Sequence, residues 1–271
     1  METTFTEGIS RSGIYYQRHG TPSTCPLVMI IGYGGTLATW TTEFVQKLSE
    51  TFDVIVFDHV GSGRSKALSE GDHISFAGIS LDLREILDEL GVKMINLLGY
   101  SMGGCIALEF YRANQELVNK LILMSTTGGG GAYRPATADI IDRVQNPRGS
   151  TYDEMFFDFI SISMPAASIE KNYKTLKKVC EDTGNPPTPE HVLKMKLQEF
   201  RGFDSAASLH QIQCPVLVIH GNDDFLMPVE NAHILTNKIE QAELVTLDDC
   251  GHYPHIEQPK LLIDTLAKFL Q

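Results

Sequence analysis

The 271-residue sequence lacks several features that would assign it to a specialised class of protein. Its five cysteines are scattered and form no CxxC pair, so we expect neither a disulfide framework nor a zinc site. Basic residues are scarce: 22 lysines and arginines stand against 34 aspartates and glutamates, a formal charge of -12. We therefore expect no nucleic-acid partner, because phosphate would meet a repulsive field.

Long apolar runs and targeting segments are also missing from the sequence. No apolar run approaches the length needed to cross a bilayer, so we expect no membrane partner. A secretory signal begins with a basic segment that is followed by an apolar segment, and residues 1–11 contain neither. Together with the scattered cysteines, these absences predict a cytoplasmic protein in a reducing compartment.

The sequence does contain short apolar runs that alternate with helical patterns. The runs are β-branched and continuously apolar, as is typical of strands buried on both faces of a parallel sheet. Because helical spacing follows them, the pattern indicates βα units. Tyr15 and Tyr16 predict a further, antiparallel strand at the edge of the sheet. The six apolar runs are residues 27–31, 54–57, 95–98, 121–124, 216–219 and 244–247.

The stretch from residue 128 to residue 213 breaks this alternation. It contains helical patches separated by glycine and proline, and no convincing strand. A segment of this length is not expected to be a structureless loop in a compact domain. We therefore predict a helical cap (128–213) that begins with a flexible run of glycines at 128–131. The core domain would consist of residues 1–127 and 214–271.

The sequence around Ser101 has the pattern of a nucleophile elbow. Residues 99–103, Gly-Tyr-Ser-Met-Gly, match G-x-S-x-G between a predicted strand and a predicted helix. Small residues flank the serine because strand and helix pack closely at this strained turn. An oxyanion that develops there would meet the unpaired N–H groups of a helix N-terminus. We predict Ser101 as the nucleophile.

Two later segments contain the acid and the base that such a serine needs. Asp223 and Asp224 follow the predicted strand 216–219, and His252 and His255 follow the predicted strand 244–247. Open α/β sheets build their sites at the carboxyl ends of their strands. The order serine, acid, histidine is the one expected after a nucleophile elbow. Chain order alone leaves either aspartate and either histidine as candidates.

These motifs resemble those of the α/β-hydrolase superfamily over nearly the whole chain. The family pattern G-x-x-D-x-x-x-P, beginning at residue 221, places the acid at Asp224 and not at Asp223. The pattern G-H-x-x-x-x-E-x-P, beginning at residue 251, places the base at His252 and not at His255, and indicates a structural role for Glu257. The resemblance implies a mostly parallel, eight-stranded sheet flanked by helices. The helical cap would be inserted before the strand that bears the acid.

The resemblance also locates an oxyanion hole. The family usually has histidine-glycine after the third strand, and this chain has Ile31 and Gly32. The change removes a bracing side chain but no backbone donor, so the N–H groups of Tyr33 and Met102 are the expected members. Residues 58–65 match the family pattern D-x-x-G-x-G-x-S, which shapes a turn beside the site. The remaining histidines have no ligand spacing, and we expect them to be surface or hydrogen-bonded residues.

The predicted triad implies covalent catalysis without a metal or an organic cofactor. His252 would take the Ser101 proton, Asp224 would hold the imidazole in the right tautomer, and water would cleave the acyl-enzyme. A serine nucleophile argues against the dehalogenase and epoxide-hydrolase branches. Small to medium esters, lactones or thioesters are then the expected substrates. The candidate wall residues of the acyl pocket are Phe156, Phe157 and Phe159.

A second interpretation treats the chain as a ligand receptor or signalling regulator built on the same fold. Residues 57–63 resemble the equivalent stretch of small hydrolase-fold receptors, which keep a triad while acting mainly in signalling. The elbow of those receptors usually reads G-H-S-V, whereas residues 99–102 of this chain read Gly-Tyr-Ser-Met. This difference favours an enzyme. Multiple turnover of an activated ester would separate an enzyme from a receptor.

Overall fold

A computed structural model describes residues 5–271, in which eight strands form one mostly parallel sheet. The spatial order is β1-β2-β4-β3-β5-β6-β7-β8, with β2 antiparallel to both of its neighbours and the remaining pairs parallel. The eight-stranded α/β sheet expected from the sequence is confirmed. The strands are β1 (Phe5–Ile9), β2 (Tyr15–His19), β3 (Leu27–Ile30), β4 (Val54–Phe57), β5 (Ile95–Tyr100), β6 (Val118–Met124), β7 (Val216–Gly221) and β8 (Ala242–Leu247).

The described residues, 5–271, form ten α-helices. Helices α2, α3 and α8 contribute to one apolar cluster, and α1 and α10 contribute to a second cluster. Strands β3, β4, β5 and β7 are buried at every residue, which is the physical reason for their continuously apolar sequences. Within residues 5–271 every helix is too short or too polar to traverse a lipid bilayer. The helices are α1 (Thr42–Ser49), α2 (Phe76–Glu89), α3 (Met102–Ala113), α4 (Ala138–Gln145), α5 (Tyr152–Ser161), α6 (Ala166–Thr183), α7 (Glu190–Gly202), α8 (Glu230–Lys238), α9 (Pro254–Glu257) and α10 (Pro259–Leu270).

The strand that contains Tyr15 and Tyr16 is antiparallel to its neighbours, as predicted, but it does not lie at the edge of the sheet, so that part of the prediction is wrong. Strand β2 pairs with β1 on one side and with β4 on the other, and β1 forms the edge. The sequence does not reveal β1, because its residues are mostly exposed and include no apolar run. Residues 1–4, at the start of the expected core domain, lie outside the described residues.

Helices α4, α5, α6 and α7 lie in the chain between β6 and β7. The two ends of this inserted segment meet, since Ser205 N–H donates to the carbonyl of Gly128 at 2.9 Å and Gly129 pairs with Asp204. Gly129 has a φ of 69°, a left-handed conformation that glycine adopts without strain. The start and the end of the inserted segment are thus hydrogen-bonded to each other, close to the point where the chain leaves β6. Its assignment as a separate cap stays a prediction.

Candidate active site

Ser101 lies at the sharp turn between β5 and α3. Its φ of 54° is unusual for a residue other than glycine, which is the strain expected at a nucleophile elbow. A methyl group on Gly103 would lie 2.3 Å from the carbonyl oxygen of Ile30, and one on Gly99 would lie 2.4 Å from the carbonyl oxygen of Gly103. The small residues of the G-x-S-x-G pattern therefore have a steric cause.

Ser101, His252 and Asp224 form a continuous chain of contacts. The Oγ of Ser101 lies 2.9 Å from Nε2 of His252, and Nδ1 of His252 lies 2.7 Å from Oδ2 of Asp224. All three side chains are buried. An imidazole with its proton on Nδ1 donates to the carboxylate and leaves Nε2 free to accept the serine proton. The geometry thus provides a nucleophile, a base and a group that orients the base.

Asp224 faces His252, whereas the adjacent Asp223 is only half-buried. The second oxygen of Asp224 accepts hydrogen bonds from the N–H groups of Leu226 at 3.0 Å and Met227 at 2.7 Å. Burial raises the pKa of Asp224, but the neighbouring histidines and their hydrogen bonds outweigh it and hold this pKa below its usual value. Asp224 is therefore a pre-oriented carboxylate anion.

A second imidazole, that of His220, also lies beside the acid. Its Nε2 is 3.3 Å from Oδ2 of Asp224 and 2.6 Å from the carbonyl oxygen of Met227, to which it donates. His220 is fully buried at the end of β7, four residues before Asp224. The sequence predicts at most a hydrogen-bonded histidine here. Its place at the end of the acid-bearing strand is the signal that could have revealed a contact with Asp224.

His255, the competing histidine, is occupied elsewhere. Its Nε2 donates to the carbonyl oxygen of Thr39 at 3.2 Å, and its ring centroid lies 5.0 Å from that of Trp40. Burial lowers the pKa of His255 to about 3, so it is neutral at physiological pH.

The expectation that the remaining histidines are exposed or hydrogen-bonded is wrong for His59. That side chain is fully buried, and neither ring nitrogen has a hydrogen-bond partner within residues 5–271.

The backbone N–H groups of Met102 and Tyr33 are the two expected members of an oxyanion hole. Met102 is the first residue of α3, where an N–H group has no partner inside the helix. Tyr33 follows Gly32, on which a methyl group would lie only 3.0 Å from Cβ of Ser101. In the described part of the chain, neither the Tyr33 nor the Met102 N–H donates a turn, loop or side-chain hydrogen bond. The loop thus approaches the serine closely because Gly32 has no side chain.

The three predicted pocket phenylalanines pack against the same apolar cluster, which includes Trp40 and Tyr100, but their aromatic partners differ. The ring of Phe159 lies 6.5 Å from that of Tyr33, in the loop beside Ser101. Phe157 stacks on Tyr173 with ring centroids 5.5 Å apart, and Phe156 packs edge-on against Phe157. Of the three, Phe159 is the residue placed next to the loop beside the serine.

Glu257 is a buried carboxylate in the segment that carries His252. Its Oε2 accepts a hydrogen bond from Ser168 of α6 at 2.7 Å, which connects the inserted segment to the core. The N–H of His252 itself donates to the carbonyl oxygen of Ser163 at 2.9 Å. The histidine segment is therefore held in part by the inserted segment.

Within residues 5–271 no group of three or more His, Cys, Asp or Glu side chains is arranged to hold a metal ion.

Comparisons with known proteins found similarity over nearly the whole chain. A family model described as the alpha/beta hydrolase fold matches residues 26–259. The chain is 28% identical over 251 residues to a protein of Pseudomonas savastanoi pv. phaseolicola named carbamate hydrolase RutD, with 90% of this chain and 93% of that protein covered.

Solved structures are also similar to this chain. Est816, described as an N-acyl homoserine lactone degrading enzyme, has a TM-score of 0.80 and 26% identity, with 97% of this chain and 100% of that chain covered. The enol-lactonase from Burkholderia xenovorans LB400 has a TM-score of 0.82, with 98% of this chain and 99% of that chain covered. At 19% identity, the likeness to the enol-lactonase concerns the fold alone.

Proposed function

Because the chain belongs to the alpha/beta hydrolase fold family and is thus a hydrolase, we propose that it cleaves a carboxylic ester, lactone or thioester through an acyl-enzyme on Ser101. The observation that carries this proposal is the chain of contacts from Ser101 to His252 to Asp224, at 2.9 and 2.7 Å. The substrate would be a small to medium molecule. The similar protein named as a lactone-degrading enzyme supports the same class of scissile bond.

The first half of the reaction forms the acyl-enzyme. Oγ of Ser101 attacks the substrate carbonyl carbon while its proton passes to Nε2 of His252. The carbonyl oxygen becomes an oxyanion, which accepts hydrogen bonds from the N–H groups of Tyr33 and Met102. The tetrahedral intermediate then collapses, and the leaving alcohol or thiol takes the proton from His252. In a lactone the leaving alcohol stays attached to the acyl chain.

The second half returns the enzyme to its starting state. A water molecule donates a proton to Nε2 of His252 as its oxygen attacks the acyl carbon. Collapse of the second tetrahedral intermediate releases the carboxylic acid, and the proton returns to Oγ of Ser101. Throughout, the carboxylate of Asp224 stabilises the imidazolium and fixes its tautomer.

Multiple turnover tests this proposal directly. The purified protein should hydrolyse p-nitrophenyl esters of several chain lengths for many cycles, and Ser101→Ala should lose this activity by at least about 10⁴-fold. A fluorophosphonate should label Ser101 in the parent protein, as peptide mapping can show. Carbamates belong in the same panel, because a similar protein is named carbamate hydrolase. A carbamate, like an ester, offers a carbonyl carbon to a nucleophile.

The panel also distinguishes the enzyme from a receptor. A single turnover followed by a stable acylated protein would favour a hydrolase-fold ligand receptor and contradict the proposed function. Retention of a tenth of the activity in Ser101→Ala would show that another group is the nucleophile. We also propose that the inserted segment, residues 128–213, acts as a cap over the site.

A further inference from the structure

Helix α7 of the inserted segment lies against two loops at the carboxyl edge of the sheet. A methyl group on Gly34, in the loop that contains Tyr33, would contact the side chain of Leu193 at 3.6 Å. One on Gly61, in the loop after β4, would lie 3.0 Å from the side chain of Val192. Residues of α7 near its N-terminal end therefore pack directly on the loops beside the site.

Lys196 lies one turn further along α7 and is fully buried. Its Nζ donates to Oγ of Ser62 at 2.7 Å, which is the one hydrogen bond it makes within residues 5–271. An ammonium group has three N–H donors, and no carboxylate of the described chain lies within 4.0 Å of this one. Two of its three donors therefore have no acceptor within the described residues, and an acceptor that reached them would stabilise the buried cation.

Asp58, the acid whose charge acts on this cation, makes its hydrogen bonds to other groups. The carboxylate of Asp58 accepts hydrogen bonds from the N–H groups of Leu37 at 2.8 Å and Arg64 at 2.9 Å. Burial lowers the pKa of Lys196 to about 8, and the charge of Asp58 opposes this shift. The lysine is therefore still largely protonated at neutral pH, without a direct anionic partner.

His59 is a second unused hydrogen-bonding group in the same place. It is fully buried, and both of its ring nitrogens lack partners within the described residues. Ser62, whose Oγ accepts from Lys196, donates its backbone N–H to the carbonyl oxygen of His59 at 3.0 Å, so Lys196 binds the turn that begins at His59. Burial lowers the pKa of His59, and the charge of Lys196 adds to this shift. A neutral imidazole retains one N–H donor. Within the described residues, Lys196 thus has two N–H donors without an acceptor, and the imidazole of His59 has one.

The loop that contains His59 is two strands away from the turn that contains Ser101, because β3 lies between β4 and β5. Strands β3 and β4 pair Met29 with Val56, and the same register continued for three residues would put Gly32 beside His59. Gly32 in turn packs on Ser101, which follows β5 on the other side of β3. Because neighbouring strands are about 4.8 Å apart, β4 and β5 are separated by about 10 Å.

We infer that the Lys196–His59 pair binds a carboxylate of the substrate, at the end of the acyl chain remote from the carbonyl that Ser101 attacks. This inference rests on the proposed function, and it narrows the substrate to ω-carboxyacyl esters, lactones or thioesters. A carboxylate fits the pair because it carries one negative charge and accepts from two donors. A phosphate would bring nearly two charges to a buried site with one cation.

Matched esters test the inference. The substrates are p-nitrophenyl esters of straight-chain monocarboxylic acids and the corresponding half-esters of dicarboxylic acids, from succinate to sebacate. The parent protein should prefer the half-ester at one chain length. Lys196→Met should lower kcat/KM for that half-ester by about tenfold to a hundredfold, because a charge-assisted hydrogen bond is lost. The loss on the neutral ester should be much smaller, so that the ratio of kcat/KM for the half-ester to kcat/KM for the neutral ester falls.

Lys194→Met is the matched control, since Lys194 lies on the same helix but is exposed and pairs with Glu190. It should leave both activities unchanged. Lys196→Gln, which keeps a polar group without the charge, replaces Lys196→Met if the latter does not fold. An equal loss on neutral and charged esters would mean that Lys196 only fastens α7 to the core, and would overturn the inference.

A binding measurement separates failure of this inference from failure of the proposed function. Thermal unfolding of Ser101→Ala should shift upward with monomethyl esters of the same dicarboxylates, and the double variant with Lys196→Met should show no shift. This readout needs no turnover. If the melting temperature of Ser101→Ala does not shift with these monomethyl esters while the parent hydrolyses neutral esters, the carboxylate site is contradicted and the proposed function is not. Absence of any ester hydrolysis by the parent would contradict the proposed function, whatever the binding result.

Discussion

Glu257 holds the backbone on both sides of His252. Its Oε2 accepts a hydrogen bond from the N–H of Gly251 and its Oε1 accepts one from the N–H of Tyr253, each at 2.9 Å. The carboxylate is buried, so neither N–H can turn to water instead. The position of the proposed base thus depends on an acid that, within residues 5–271, makes no side-chain hydrogen bond to Ser101 or to the imidazole of His252.

The first prediction concerns this carboxylate. Glu257→Gln should reduce kcat for p-nitrophenyl esters by about tenfold to a hundredfold with little change in KM, because an amide N–H₂ would face a backbone N–H and displace the His252 segment. Glu240→Gln, which alters an exposed acid, is the control. If Glu257→Gln lowers the melting temperature but leaves kcat unchanged in the folded protein, its role is structural only.

The second prediction compares the two adjacent aspartates. Asp224→Asn should reduce kcat by about 10⁴-fold, because the amide cannot hold His252 in the tautomer that accepts the serine proton. Asp223→Asn should change kcat little, since Asp223 makes no side-chain contact with His252 in the described chain. Steady-state kinetics of the two variants check this. Equal losses, or the reverse order, would mean that Asp224 is not the acid of the triad.

The third prediction concerns substrate selection by the inserted segment. Phe159→Ala should change the preference among acyl chain lengths, because the ring lies beside the Tyr33 loop and each methylene in an apolar pocket contributes about 1–3 kcal/mol. Phe157→Ala is the matched control, since that ring stacks on Tyr173. Labelling of Ser101 by a small fluorophosphonate should be unchanged in both variants. A parental chain-length profile in folded Phe159→Ala would exclude this ring from the pocket.

The fourth prediction is a pH dependence of stability. Burial lowers the pKa of Lys196 from its ordinary 10.5 to about 8, so between these values the unfolded chain binds a proton that the folded chain has released. Stability contributed by this group therefore rises with pH across that window and is lowest below it. Lys196→Met should be more stable than the parent at pH 7, and the difference should shrink as the pH rises from about 8 to 10.5.

Denaturant unfolding of the parent, Lys196→Met and Lys194→Met over this pH range checks the fourth prediction. The exposed control should track the parent at every pH. A constant difference between the parent and Lys196→Met would show that Lys196 does not titrate in this window. A neutral lysine already at pH 7 would also weaken the case for a bound carboxylate.

Much of the fold could be predicted because its determinants are local in sequence. Strands such as β4 and β7 are buried on both faces, and burial on both faces requires continuously apolar residues. Strand β1 could not be predicted, because an edge strand with exposed residues leaves no such pattern. The elbow at Ser101 was visible for a steric reason: Gly99 and Gly103 pack against backbone atoms and tolerate no side chain.

The sequence by itself thus determined the mostly parallel sheet and pointed to Ser101, to one of two aspartates and to one of two histidines, since each lies just past a strand and the strands end at one edge. The resemblance to the α/β-hydrolase patterns selected Asp224 and His252 from these pairs. Only the tertiary structure decided which other groups lie beside them. Lys196 looks like an ordinary helical lysine in the sequence, yet it bonds Ser62, which is 134 residues away. Burial and the meeting of distant segments arise from packing, and no local pattern records them.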